Sequence, residues 1–269
     1  MATRDRIMKL SDTVIFTGDS YTSGEGLTLD HEDPGLWCNV LHQNHSELKN
    51  LNLINAAING LTNLEIFKKS IELMVEHRPK FIFVAWSEAY RIKINCGVET
   101  YDTSIYMSPI SSHKDVKLNN ITYPSSYIDN IKHRFFDLQN IHYIYLEVLD
   151  QSRILKNLAD LIGCRIFFVN TYFDWDDNYF DHITDPHRTP VQLTKFTQTL
   201  LNIYNRDDDE IFRIYDKLHS EYKQTQGLEN WINLYQGFRS KYYLDLGTDD
   251  VHPGYDSHRK FAEFLMEQF

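Results

Sequence analysis

The order of apolar runs along this chain predicts an α/β protein, a three-layer α/β/α sandwich built on a parallel sheet. Three observations carry that expectation. Runs rich in β-branched and aromatic residues at Val14–Thr17, Leu51–Asn55 and Phe81–Ala85 have the length and near-continuous apolarity of strands buried on both faces. Residues 61–77 place Leu61, Leu64, Phe67, Ile71 and Met74 at three- and four-residue spacings, which is one face of a helix. Alternation of strand and helix then favours right-handed crossovers and a sheet covered on both sides.

The remaining elements follow in chain order. Gly60 stands just before the first long helix and Pro79 just after it. Residues 126–161 read as a long or broken helix. Its tail carries Ile154, Leu155, Leu158 and Leu161, with Gly163 as a stop before a fourth strand at Arg165–Asn170. Val191–Asn205 and Asp209–Tyr222 read as amphipathic helices, and Tyr255–Gln268 closes the chain with Phe261, Phe264 and Leu265 on one face. Two stretches exceed a minimal sheet: a polar loop excursion at about 97–127 and a largely helical lid or cap at about 174–233. Neither has linker composition, so residues 1–269 are expected to form one domain with two insertions.

Composition narrows the functional classes. The chain has 269 residues, 42% hydrophobic and 24% charged, as an ordinary globular protein has. A formal charge of −11 with no Lys/Arg cluster disfavours nucleic-acid and membrane-surface partners. No apolar run is long enough to span a bilayer, and the charged N-terminus lacks the apolar core of a secretory signal, so a cytoplasmic location is expected. Cys38, Cys96 and Cys164 have no CxxC spacing, which points to idle thiols and away from a disulfide framework or cysteine-zinc site. Asp174-Trp175-Asp176-Asp177-Asn178 alternates oxygens as a calcium loop does. Tyr179 takes the place of the required glycine, however, and Asp185 that of the twelfth-position glutamate. No HxxxH or HExxH spacing appears either, so neither metal nor cofactor is expected.

Three segments carry chemistry. Gly18-Asp19-Ser20-Tyr21-Thr22-Ser23-Gly24-Glu25-Gly26 follows the first strand directly. Open α/β sheets bind ligands beyond the carboxyl ends of their strands, so Ser20 is a candidate nucleophile. Asp249-Asp250-Val251-His252-Pro253 precedes the last helix; a serine needs an imidazole to take its proton, and the imidazole needs a carboxylate to fix its tautomer. His252 and Asp249, three apart, are candidates for those roles. Asn55-Ala56-Ala57-Ile58-Asn59-Gly60 leads from the second strand towards a helix, and its glycine lets a backbone N–H approach a developing oxyanion. Tyr21, Trp37 and Trp86 are candidates to line a cleft beside Ser20.

In identity, order and spacing these three segments resemble the SGNH/GDSL hydrolase superfamily along nearly the whole chain. The resemblance implies a flavodoxin-like parallel sheet and a serine esterase. Ser20 would be the nucleophile, His252 the base and Asp249 its partner, with the N–H groups of Ser20 and Gly60 in the oxyanion hole. One block departs from the pattern: where the family has GxND, this chain has Ala85-Trp86-Ser87-Glu88, so Ser87 falls at the position of the oxyanion asparagine. Either Ser87 or Arg91 substitutes for it, or the enzyme is slow, or the site is repurposed. A Trp-Ser variant with a nearby arginine is similar to divergent phage-encoded or bacterial members. The reading is hydrolysis of a carboxylic ester, an O-acetyl carbohydrate or other small acyl ester, through an acyl-enzyme. Acyl transfer at the same site, or a non-catalytic protein that keeps the fold, are the alternatives.

Overall fold

The structure is a computed structural model, and it describes residues 9–87, 92–95, 104–107, 116–118, 121–126, 141–170, 228, 231–233, 244–250 and 252–268. The chain divides into two compact units, one of residues 1–87, 150–173 and 226–269, the other of residues 88–149 and 174–225.

The first unit holds a five-stranded sheet of β1 (Ser11–Thr17), β2 (Asn52–Asn55), β3 (Pro79–Trp86), β8 (Arg165–Asn170) and β9 (Trp231–Asn233). The strands are ordered β2-β1-β3-β8-β9 and every pairing is parallel. This is the doubly wound, flavodoxin-like arrangement that the sequence predicts, with its direction of winding reversing between β1 and β3. Its helices are α1 (Ser20–Ser23), α2 (Trp37–Asn44), α3 (Asn63–His77), the later part of α4 (Ile141–Ile162) and α5 (Tyr255–Gln268).

The central strands are apolar because both of their faces are covered. Register places Phe16 beside Phe83 and Phe83 beside Phe167. Their rings stack with centroids 4.7 and 5.0 Å apart, a ladder across β1, β3 and β8. Trp37 of α2 meets Phe16 edge-on at 5.3 Å and Phe261 of α5 at 5.0 Å, so the ladder continues into the helical layer. Each such pair contributes about 0.5–1.5 kcal/mol beyond its buried area. α3 is tied to β1 by hydroxyls: Ser70 Oγ donates to the Ile66 carbonyl at 2.8 Å and shares a hydrogen bond of 2.9 Å with Thr17 Oγ1.

Boundaries reflect local chemistry. α3 starts at a capping box, in which the Glu65 N–H reaches Thr62 Oγ1 at 3.4 Å and Glu65 Oε2 accepts from the Thr62 N–H at 3.0 Å. It ends at Arg78 in a left-handed turn with φ 47°, and Pro79 is already the first residue of β3. α4 ends at Gly163, also left-handed with φ 81°.

The second unit contains two antiparallel hairpins, β4 (Ile92–Asn95) with β5 (Ser104–Met107) and β6 (Val116–Leu118) with β7 (Ile121–Tyr123). The stretch expected to be a featureless loop at about 97–127 therefore contains strands. They are only three or four residues long, too short for alternation to show. Residues 231–233, expected in the helical insertion, pair with β8 as β9. The helices expected at 191–205 and 209–222 and the acidic stretch at 174–178 lie outside the described residues.

Among the described residues no helix is long and apolar enough to cross a membrane, and no group of three or more His, Cys, Asp or Glu is placed to hold a metal ion. Cys38 and Cys164 are free and buried. Burial pushes both thiols up, that of Cys164 to about 12, so they stay protonated and unreactive.

His258 on α5 is a buried group with a testable consequence. Burial holds its ring down, to about 4, while the carboxylates of Asp245 and Asp33 pull the other way. An unfolded chain protonates this histidine at its ordinary 6.5, and the fold does not until about 4. The stabilisation is therefore complete above pH 6.5 and lost as pH falls, on the order of 3 kcal/mol by pH 4. Urea unfolding from pH 7 to pH 4 is expected to show this loss, and His258→Leu is expected to flatten its slope by about one proton.

Candidate active site

β1 delivers its last residues to the point where the sheet reverses direction. Gly18 sits in a turn so tight that a Cβ there would lie 2.5 Å from Thr22 Oγ1 and 3.0 Å from the Ala85 Cβ. Asp19 caps α1 by accepting from the Tyr21 N–H at 3.3 Å, which sets Ser20 as the first helical residue, 3% exposed. The turn closes with the N–H groups of Gly24 and Glu25 both donating to the Ser20 carbonyl at 3.1 Å.

The segment between β2 and α3 is laced to this turn. The Ala56 N–H donates to the Phe16 carbonyl at 2.8 Å and the Ile58 N–H to the Gly18 carbonyl at 3.1 Å. Asn55 Nδ2 donates to the Thr22 carbonyl at 2.8 Å, and the Ser23 hydroxyl donates to the Asn59 side chain. Gly60 follows in the left-handed region at φ 79°. Among the described residues, no hydrogen bond occupies the amide N–H of Ser20 or of Gly60.

The loop before α5 brings the other end of the chain to the same place. The Thr248 N–H and hydroxyl donate to the Gly26 carbonyl at 2.8 and 3.1 Å. A hydrogen bond from the Gly247 N–H to the His252 carbonyl at 2.7 Å and the pairing of Leu246 with Pro253 close the loop. Asp249 holds His252 twice: Oδ1 accepts from its backbone N–H at 3.0 Å, and Oδ2 lies 2.5 Å from Nδ1. An ionised carboxylate only accepts, so Nδ1 carries the proton and the lone pair of a neutral ring sits on Nε2. Tyr21 meets the ring edge-on, centroids 5.6 Å apart.

Among the expected residues, Ser20, Tyr21, Gly60, Asp249 and His252 thus lie in one set of interlocked loops. Ser87 directly follows β3, with its hydroxyl donating to Asp19 Oδ2 at 2.7 Å and its main chain bracketed by the Asn63 amide, at 2.8 and 3.2 Å. Its proton is committed to Asp19 in this geometry. Trp86 and Trp37, candidates for either a cleft or the core, are buried in the core. Trp86 is 1% exposed and stacks on Phe168 at 6.3 Å, because β3 is buried on both faces. Arg91 lies outside the described residues. A cleft of about 490 Å³ opens beside the β2–α3 segment, lined by Ser23, His31, Asn55, Asn59 and Lys69 among others; neither Ser20 nor His252 lines it.

One site residue has no assigned role in the sequence reading. Glu25 Oε2 lies 3.5 Å from His252 Nε2. Its placement was marked only by the glycines on either side of it.

The fold defines a class: a doubly wound parallel α/β protein, here with a histidine–aspartate pair packed against the turn that follows its first strand. No family model and no curated protein matches the sequence. Solved structures similar to it include a mutant of an acetyl-xylooligosaccharide esterase from Geobacillus, with TM-score 0.46 and 13% identity over 97% of this chain and 95% of that one. The lipase/acylhydrolase from Enterococcus faecalis has TM-score 0.44 and 12% identity over 95% and 94%. The family 3 carbohydrate esterase from Clostridium thermocellum has TM-score 0.43 and 10% identity over 95% and 93%.

The glycines that permit this interlock can be told apart by substitution. A Cβ on Gly26 would lie 2.9 Å from the His252 Cβ and 3.0 Å from Asp249 Oδ1, whereas one on Gly60 would meet nothing within 4 Å. Both have positive φ, so both alanine variants carry the left-handed cost of roughly 1–2 kcal/mol. Only Gly26→Ala adds a clash, and it is expected to melt measurably lower than Gly60→Ala in thermal unfolding.

Proposed function

We propose that the protein is a serine esterase acting on small acyl esters, O-acetylated carbohydrates among them. The observation that carries this reading is the Asp249–His252 pair docked on the turn that begins at Ser20. The motif resemblance assigns the same residues to nucleophile, base and orienting carboxylate.

In the proposed cycle, His252 Nε2 removes the Ser20 Oγ proton as Oγ bonds to the ester carbonyl carbon. Asp249 stabilises the imidazolium that forms. The N–H groups of Ser20 and Gly60 receive the oxyanion. The carbon–oxygen bond to the alcohol then breaks and Nε2 returns its proton to the departing oxygen. Water repeats the sequence on the acyl-enzyme and restores Ser20. The hole holds two donors in this reading, because the Ser87 hydroxyl serves Asp19.

Ser20→Ala is expected to abolish both p-nitrophenyl acetate hydrolysis and labelling by a fluorophosphonate. Wild-type protein that fails to label would overturn the assignment and favour a non-catalytic protein with this fold. Asp249→Asn is expected to lower kcat by about four orders of magnitude through loss of the correct tautomer. Ser87→Ala is expected to cost less than tenfold in kcat/KM, since a true oxyanion donor would cost about a hundred- to thousandfold.

A further inference from the structure

We propose that Glu25 selects the alcohol half of the substrate, favouring esters whose leaving alcohol carries a free hydroxyl on the carbon next to the one that bears the ester oxygen, as partly acylated sugars and other polyols do. The inference rests on the esterase reading and goes beyond it by assigning a substrate contact.

Geometry is the first ground. Glu25 Oε2 lies 3.5 Å from His252 Nε2, an ion-pair separation too long for a good hydrogen bond, so the carboxylate flanks that nitrogen without occupying it. Nε2 stays available to Ser20 and then to the departing oxygen, which it must approach to about 3 Å to protonate. A hydroxyl on the adjacent carbon lies about one hydrogen-bond length, roughly 3 Å, beyond that oxygen, which is within reach of Glu25.

Placement is the second ground. Glu25 lies between two left-handed glycines, Gly24 and Gly26, both at φ 90°. Its own N–H is bonded to the Ser20 carbonyl, and the Gly26 carbonyl is held by Thr248. Its backbone is thus fixed to both halves of the site. The side chain is 41% exposed against 16% for His252, so a ligand can reach it. Among the described residues it has no Lys or Arg partner. A carboxylate beside the base suits a neutral hydrogen-bond donor and repels a phosphate-bearing leaving group.

The bond changes remain those of ester hydrolysis. As the carbon–oxygen bond breaks, Nε2 gives its proton to the departing oxygen, while the neighbouring hydroxyl keeps its own proton and donates a hydrogen bond to Glu25. No net proton passes to the carboxylate.

The test compares kcat/KM for 2-hydroxyethyl acetate and 2-methoxyethyl acetate, in which a methyl group replaces the donor hydrogen, on the full chain. Wild type is expected to prefer the hydroxyl ester by about ten- to hundredfold, the range for a hydrogen bond to a charged group. The ratio is expected to fall near one in Glu25→Ala and between the two in Glu25→Gln. A wild-type ratio within twofold of one, or an undiminished ratio in either variant, overturns the inference. p-Nitrophenyl acetate turnover and fluorophosphonate labelling, run alongside, separate the two levels: loss of both in wild type sinks the esterase reading and this inference with it. Turnover without discrimination sinks this inference alone.

Discussion

The site depends on one close approach: the loop before the last helix lies flat on the Gly24–Gly26 turn, with backbone against backbone. Gly247 and Gly26 meet so closely that a Cβ on Gly247 would lie 2.5 Å from the Gly26 carbonyl oxygen. No side chain fits at this seam, and Thr248 bonds across it to the same oxygen. Because the contact is made by main chain, it fixes position more tightly than flexible side chains would. Asp249, His252, Glu25 and Tyr21 take their relative places from it. Further along, Tyr255 donates to Asp33 Oδ2 at 2.7 Å and lies 3.0 Å from Thr28 Oγ1, pinning the start of α5 to the segment after that turn.

Beneath the loops, the sheet supplies rigidity where the chemistry needs it. β1 is a central strand, flanked by β2 and β3, and carries the phenylalanine at one end of the ring ladder. A residue leaving such a strand has little freedom before Ser20. Asp19 then spends its carboxylate on capping α1 and on the Ser87 hydroxyl, a buried network that orients the turn. Asn63 completes it by gripping the Ser87 main chain at both its N–H and its carbonyl. The hydroxyl that follows β3 thus makes a structural connection to the turn.

Much of this was legible in the sequence. Four of the five sheet strands announced themselves as apolar runs; in the central β1 and β3, burial on both faces removes polar residues and leaves a pattern that composition reveals. The glycine-marked turn after β1 and the Asp-x-x-His spacing pointed to their loops for the same reason: each requires particular residue types at fixed offsets. What stayed hidden depended on partners far away in sequence. Glu25 is an ordinary acidic residue until His252 is brought beside it, and Ser87 reads as a replacement donor until Asp19 claims its proton. Trp86 could be read for cleft or core alike, because an aromatic residue at a strand end looks the same in sequence whichever it faces. The Thr62–Glu65 box, by contrast, was written openly in the sequence and passed over.

Tyr255 reaches across 227 positions of sequence to Thr28, and the imidazole beside it travels equally far to join the serine's turn. Contacts so far apart in sequence carry a large loop-closure cost, so the two loops meet only once the sheet between them has drawn their ends together.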